Sequence, residues 1–165
     1  MPDNMTAEPI GSGEQAAARA VIAQASSTLA ARRADIPSDF VALLYTRAVP
    51  EDVVRYGADD LSRIAERAFD YLSDRQPGAV KVRYGTVTLD ASGPHKAVGV
   101  IEIVNDDMPF LVDSVTGEIA DRRLDVRLVS HPVFGVRRQG GRLVTLAVAD
   151  EASSARQGLI PIHTE

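Results

Sequence analysis

The residues best suited to chemistry form an acidic turn, Asn105-Asp106-Asp107-Met108-Pro109-Phe110. An alternating apolar run from Val98 to Val104 precedes the turn and predicts a strand, and a run with helical spacing follows it. Carboxylates attract cations, and the N–H groups that open a helix attract anions. This turn is the candidate ligand site of the sequence.

Two roles compete for the carboxylates of this turn. Asp106, Asp107 and Asp113 have the oxygen ligands that a cation needs, but their spacing lacks the pattern of an EF-hand loop. Acidic side chains commonly cap helices, and Pro109 suits a first helical turn, where its missing N–H costs no hydrogen bond. We therefore predict that Asp107 or its neighbour caps the helix and that no metal binds here.

The sequence carries no recognisable catalytic set. It has no Cys, which excludes disulfides, thiolate metal sites and a cysteine nucleophile. The Gly11-Ser12-Gly13 stretch matches part of a dinucleotide fingerprint, but no strand precedes it. Only Lys81 and Lys96 could serve as catalytic lysines, and His95 stands alone beside a predicted turn. We predict that the chain is not itself an enzyme and binds no cofactor of its own.

Composition excludes two further classes of function. The 165 residues are 45% hydrophobic, enough to bury a core, and carry a net charge of −5. An acidic chain offers no basic field for a nucleic-acid backbone. No apolar run approaches the ~20 residues of a membrane span, and residues 1–13 lack the basic-then-apolar order of a signal peptide. We expect a cytoplasmic protein.

The hydrophobic period divides the chain into three parts. Residues 1–13 are polar and rich in Gly and Pro, and we predict that they are flexible. Apolar residues at helical spacing predict a helical segment over residues 14–78. The predicted helices run from Glu14 to Arg33, from Ser38 to Arg47, briefly from Pro50 to Gly57, and from a cap at Asp59-Asp60 to Arg75.

From Ala79 the period changes to two, which predicts strands. Besides the strand before the acidic turn, these predicted strands are one or two around Gly85, then Val126 to Val136, Leu143 to Val148 and Leu159 to His163. Apolar residues on both faces of Val98 to Val104 indicate an interior strand. Pro132 cannot donate to a ladder and marks an edge or a bulge.

The order of strand, acidic turn with proline, helix and strand resembles an ACT domain, a ferredoxin-like βαββαβ module. Asp107-Met108-Pro109-Phe110-Leu111-Val112 stands at the place of that family's Asp-x-Pro-Gly-Leu-Leu turn. Val104 to Thr116, with Leu128-Val-Ser-His-Pro-Val-Phe134 downstream, is similar to the N-terminal region of the large bacterial NAD-dependent glutamate dehydrogenases. The resemblance spans roughly residues 14–165 and is strongest over residues 98–138.

The resemblance implies an α+β fold in which the helical segment, residues 14–78, precedes an ACT-like antiparallel sheet with a packed helix over residues 79–165. It implies a non-catalytic regulatory and assembly domain. The parent enzyme would oxidatively deaminate L-glutamate to 2-oxoglutarate and ammonia, with NAD bound elsewhere. The implied partners are the downstream domains of the same chain, other copies in a homo-oligomer, and an amino-acid effector at the acidic turn. The predicted residues of the effector site are Asn105, Asp106, Asp107, Met108, Phe110, Asp113 and Ser114.

Two departures from the ACT pattern qualify these expectations. Phe110 stands where ACT domains have Gly, and we expect its ring to fill part of the ligand pocket. The alternative function is therefore a structural interaction module without a ligand. A second helix and a fourth strand are not evident before Glu165, and the last strand stops in mid-pattern. We expect an incomplete module from a longer protein.

Overall fold

The computed structural model describes residues 11–90, 96–150, 153 and 155–165, which form a layer of helices and one sheet. The helices are α1 (Ser12–Arg32), α2 (Phe40–Tyr45), α3 (Pro50–Val53), α4 (Ala58–Ser73) and α5 (Leu111–Asp121). The strands are β1 (Lys81–Leu89), β2 (Lys96–Asp106), β3 (Val126–Val129), β4 (Val133–Gln139), β5 (Arg142–Val148) and β6 (Arg156–Thr164). The fold is α+β, as predicted.

The six strands are antiparallel in the order β1-β2-β6-β4-β5, and β3 also pairs with β6. β2 lies between two strands, which confirms the predicted interior strand. The predicted strand from Val126 to Val136 is divided into β3 and β4, because Pro132 has no N–H for the ladder. β6 begins at Arg156 rather than at the predicted Leu159 and lies at the centre of the sheet.

The sheet has two faces with different cores. On one face, α1 to α4 form the helical layer, whose core includes Phe40, Leu44, Leu72 and, from the sheet, Leu159. On the other face, α5 packs through Ile119 against Ile103, Ile160 and Ile162. Along β2 the side chains alternate, so that Val98 and Val104 join the first core and Ile103 joins the second.

α4 is the amphipathic helix of the layer, and its ends differ from the prediction. Its N-cap residue is Gly57 and no side chain caps it, because the helix begins at Ala58 and places Asp59 and Asp60 within its first turn. There their charges complement the helix dipole. The helix ends at Ser73, and Arg138 donates hydrogen bonds to the carbonyls of its last turn. Arg75 therefore lies beyond the helix.

Buried polar groups join the helical layer to the sheet. Glu102 of β2 is 1% exposed and accepts hydrogen bonds from Arg67 at 3.1 Å and Arg83 at 2.8 Å. His163 of β6 is fully buried, and its Nδ1 lies 2.8 Å from the hydroxyl of Tyr56. Burial, aided by nearby arginines, lowers the pKa of His163 to about 3, so the ring is neutral at physiological pH.

Several sequence predictions concern residues outside the described ranges. These are most of the flexible start predicted over residues 1–13, the turn predicted at residues 91–94, and His95. Ser12 and Gly13 lie within α1. The one or two strands predicted around Gly85 form a single strand, β1. Among the described helices, none combines the length and apolar character that a membrane crossing requires.

Candidate effector-binding site

The acidic turn links the end of β2 to the start of α5 at one end of the sheet. β2 ends at Asp106 and α5 begins at Leu111, with Phe110 at the N-cap position and no side chain capping the helix. The prediction that Asp107 or its neighbour caps α5 is therefore wrong. Pro109 also lies before the helix rather than in its first turn, so four residues separate Asp106 from Leu111 and the carboxylates take other partners.

Two ion pairs hold the acidic turn. Asp106 pairs with Arg75 at 2.8 Å, and Asp107 pairs with Arg156 at 3.0 Å. The backbone N–H of Asp107 also donates to the carbonyl of Arg156 at 3.0 Å. The two arginines approach from opposite parts of the chain, Arg75 from the segment after α4 and Arg156 from the start of β6. The two ion pairs therefore connect the acidic turn to the segment after α4 and to the start of β6.

A cavity of about 190 Å³ opens beside the acidic turn. Five of the seven predicted site residues line it: Asp106, Asp107, Met108, Phe110 and Asp113. The other two do not. Asn105 donates a hydrogen bond to Met108 Sδ at 3.3 Å, and Ser114 faces a separate shallow groove with Ile101 and Val115. The structure thus brings together most, but not all, of the predicted site.

We expect from the sequence that Phe110 fills part of the pocket; in the structure it lines the cavity, but most of its side chain lies in solvent. Its side chain is 77% exposed and stands at the rim. Its backbone φ of 63° lies in the left-handed region that glycine adopts without cost. The backbone therefore keeps the geometry that favours glycine, while the ring turns outward.

The residues that form the opposite wall of the cavity are not among those predicted from the sequence. These come from distant parts of the chain and are Arg47, His131, Pro132, Val133, Gly158 and Ile160. The buried hydroxyl of Ser130 donates to the carbonyl of Leu44, which ties the β3–β4 link to α2. Arg47 lies just beyond α2 and lines the same cavity as His131. Arg47 carried no local signal, since the acidic turn lies far from it in the chain.

The charges around the cavity suit a ligand that carries both signs. Arg47 forms no ion pair within the described part of the chain, so its charge is available to an anion. The N–H groups of Leu111, Val112 and Asp113 have no acceptor within α5, whose first hydrogen bond is from Ser114 to Phe110. Asp106, Asp107 and Asp113 supply carboxylates for a cation. An amino acid has both groups.

A larger apolar groove of about 810 Å³ lies elsewhere, between α1 and the α2–α3 corner. Its lining is mainly Ala, Ile, Val and Pro side chains. The hydroxyls of Ser26 and Thr46 on its wall already donate to carbonyls of their own helices. Among the described residues that line the groove, Arg19 is the one charged side chain, so the groove lacks the opposite charges of the smaller cavity. In the described residues, no group of three or more His, Asp or Glu side chains is placed to hold a metal.

Comparison with known proteins shows the family to which the chain belongs. The family described as "Glutamate dehydrogenase, ACT1 domain" matches residues 40–165, from α2 through β6. The chain belongs to this family. The ACT1 match includes every residue that lines the cavity, Arg47 among them, whereas α1 lies before the matched range.

A curated relative agrees with the ACT1 assignment. The NAD-specific glutamate dehydrogenase of Halomonas elongata is 33% identical over 131 residues, which cover 77% of this chain. The matched region is 8% of the length of that relative. No solved structure matches the chain. The ACT1 domain of this chain therefore corresponds to a small part of a much longer dehydrogenase.

Proposed function

We propose that this ACT1 domain is the regulatory part of an NAD-specific glutamate dehydrogenase and binds an amino-acid effector in the cavity beside the acidic turn. The catalytic activity, oxidative deamination of L-glutamate to 2-oxoglutarate with NAD, then belongs to downstream domains of the parent chain. The ACT1 domain itself takes no part in that chemistry. The observation that carries the proposal is a cavity of about 190 Å³ lined both by Arg47, which has no ion pair among the described residues, and by three carboxylates, two of which are paired with arginines.

In this proposal each wall of the cavity has a role. Arg47 and the free N–H groups at the start of α5 bind the effector carboxylate. Asp107 and Asp113, with Asp106, attract its ammonium group. The volume limits the effector to a small or medium side chain, which extends along Ile160 and Val133.

Calorimetric titration of the 165-residue chain with the common amino acids tests this proposal. We expect saturable binding by at least one of them. Arg47→Met weakens that binding by roughly ten- to a hundredfold, since a charge-assisted hydrogen bond is lost. Arg137→Met is the matched control, because Arg137 is exposed, forms no described ion pair and lies away from the cavity. No binding at millimolar concentration, or equal loss in both variants, contradicts the proposal.

A second role, assembly through the sheet edge, is favoured by the character of β1. Its outer edge has no partner strand among the described residues, and its pairing with β2 runs without a bulge. Lys81 and Arg83 are held on the helical face by Tyr71 and Glu102. Val82 and Tyr84 remain 65% and 69% exposed. Proline, bulges and outward charges normally protect an edge strand, and β1 has none of them.

We propose that another copy or a downstream domain of the parent pairs with β1. Sedimentation velocity over a wide concentration range tests pairing between copies. Tyr84→Lys should abolish self-association, while Val144→Lys on the opposite edge strand, β5, should leave it unchanged. If the chain is a monomer at every concentration, copies do not pair through β1. If a downstream fragment of the parent still binds the Tyr84→Lys variant, β1 is not the binding site of that fragment.

A further inference from the structure

Arg75 is a fully buried arginine that contacts the candidate site without lining its cavity. Its side chain is 0% exposed, and among the described residues Asp106 is the only carboxylate paired with it. Its Nε donates to the carbonyl of Ala79 at 2.6 Å, while Nη2 is buried without a hydrogen-bond partner. A buried guanidinium with one carboxylate depends strongly on that carboxylate.

The same residue is joined to the β4–β5 hairpin. The backbone N–H of Arg75 donates to the carbonyl of Gly141 at 2.9 Å, and Asp74 forms an isolated bridge with Arg142. The N–H of Ala79 donates to the carbonyl of Gln76 at 3.1 Å. Arg75 therefore contacts the acidic turn through its side chain. It also contacts the α4–β1 link through its side chain and the β4–β5 hairpin through its backbone.

We propose that the Arg75–Asp106 ion pair couples occupancy of the cavity to the order of the α4–β1 link, residues 74–79, and of its contact with Gly141. The identity of the ligand rests on the proposed function, whereas the coupling between Asp106 and the link rests on the structure alone. Asp106 is 59% exposed on the side of the cavity. A ligand ammonium there shares the carboxylate that neutralises Arg75, weakens the ion pair and loosens the link.

Coupling of this kind is reciprocal, because two events that share one free energy must affect each other equally. If a cation at Asp106 loosens the link, removal of the Arg75 charge must strengthen binding of that cation. Arg75→Met leaves Asp106 with its full charge and its solvent exposure. A merely structural role for Arg75 predicts the opposite, since a destabilised site binds its ligand more weakly.

Amide hydrogen exchange measured by NMR tests the coupling without any ligand. Asp106→Asn should accelerate exchange of the Arg75 and Ala79 amides on the order of tenfold or more, because it leaves a buried charge unpaired. Asp107→Asn is the matched control, since it removes the neighbouring ion pair to the half-exposed Arg156, and the Arg75 amide should keep its rate. Equal rates in the two variants overturn the proposal.

The double variant Arg75→Met with Asp106→Asn covers the case in which Asp106→Asn fails to fold. With both charges removed, the double variant should fold and exchange more slowly than Asp106→Asn does. A double variant that exchanges as fast as Asp106→Asn, or that also fails to fold, shows that the effect does not pass through the Arg75 charge and overturns the proposal.

Titration with free glycine, methylammonium and acetate separates the coupling from the proposed function. Glycine and methylammonium should accelerate exchange at the link and bind several-fold more tightly to Arg75→Met, whereas acetate should do neither. Tighter binding of acetate, or weaker binding of all three, contradicts the coupling. If none of the probes binds the wild-type chain, the proposed function fails for these ligands, and the exchange rates of the variants still decide the coupling.

Discussion

The two faces of the sheet are covered to very different degrees. The helical layer covers one face with a core that extends from α1 to β6. On the other face, α5 covers only part of the sheet, through a cluster of four isoleucines. Val82 and Tyr84 on β1 remain exposed beside it. The difference indicates that the helical face provides stability, whereas the α5 face and the acidic turn are available for ligands and partners.

Neighbouring residues on β6 allow a direct test of this difference. Leu159 faces the helical core and Ile160 faces α5, and both are buried. We expect Leu159→Ala to cost about 3 to 5 kcal/mol of unfolding free energy and Ile160→Ala about 2 to 3 kcal/mol, because α5 can settle into the smaller cavity. Urea unfolding measures both. Equal costs, or a larger cost for Ile160→Ala, would show that the helical face does not contribute more stability than the α5 face.

Much of this contrast could be predicted from the sequence, because it depends on local patterns. The alternation along Val98 to Val104 predicted a strand buried on both faces, and the α4 stripe predicted a core-facing helix. The acidic turn was found because its strand, turn and helix are contiguous. Such features need only the spacing of side chains along one segment.

The rest of the site depends on contacts that no local pattern encodes. Arg47 lines the cavity from just beyond α2, and Ser130 bonds to Leu44 across the fold. Acidic residues near a predicted helix start were interpreted as caps, yet Asp106 and Asp107 pair with distant arginines. Phe110 has a left-handed backbone, which its residue type disfavours, and an exposed side chain. The sequence therefore predicts the acidic turn but not the arginines that pair with it.

The pH dependence of stability should reflect the helical face. The folded-state pKa of His163 is about 3, below the ordinary value of 6.5. Between these values the unfolded chain binds the proton and the folded chain does not, so stability is present above pH 6.5 and is lost as the pH falls. The loss is about 1.4 kcal/mol per pH unit, or about 2 kcal/mol at pH 5.

Urea unfolding at pH 7.5, 6 and 5 measures this slope, and His163→Leu provides the control. In that variant the unfolding free energy should lose the part of its pH dependence that comes from His163 and keep the part that comes from acidic groups. An unchanged slope would mean that protonation of His163 is tolerated inside the helical face.

A small stabilisation is expected on the outer surface of α5. Gly117 lies within the helix, and a methyl group added there meets nothing within 4 Å. Gly117→Ala should therefore stabilise the domain by about 0.5 to 1 kcal/mol, because it reduces the freedom of the unfolded chain. Thermal unfolding measures the gain. A loss of stability would show that α5 packs closely against another copy or domain at this position.

The central claim is that the effector binds at the acidic turn rather than in the apolar groove of the helical layer. Chemical-shift mapping of the 165-residue chain during an amino-acid titration tests it most directly. We expect saturable shifts at Asp107, Asp113, Arg47 and His131, all lost in Arg47→Met. Shifts confined to the groove around Ala18 and Val53, or no shifts at millimolar concentration, would contradict it.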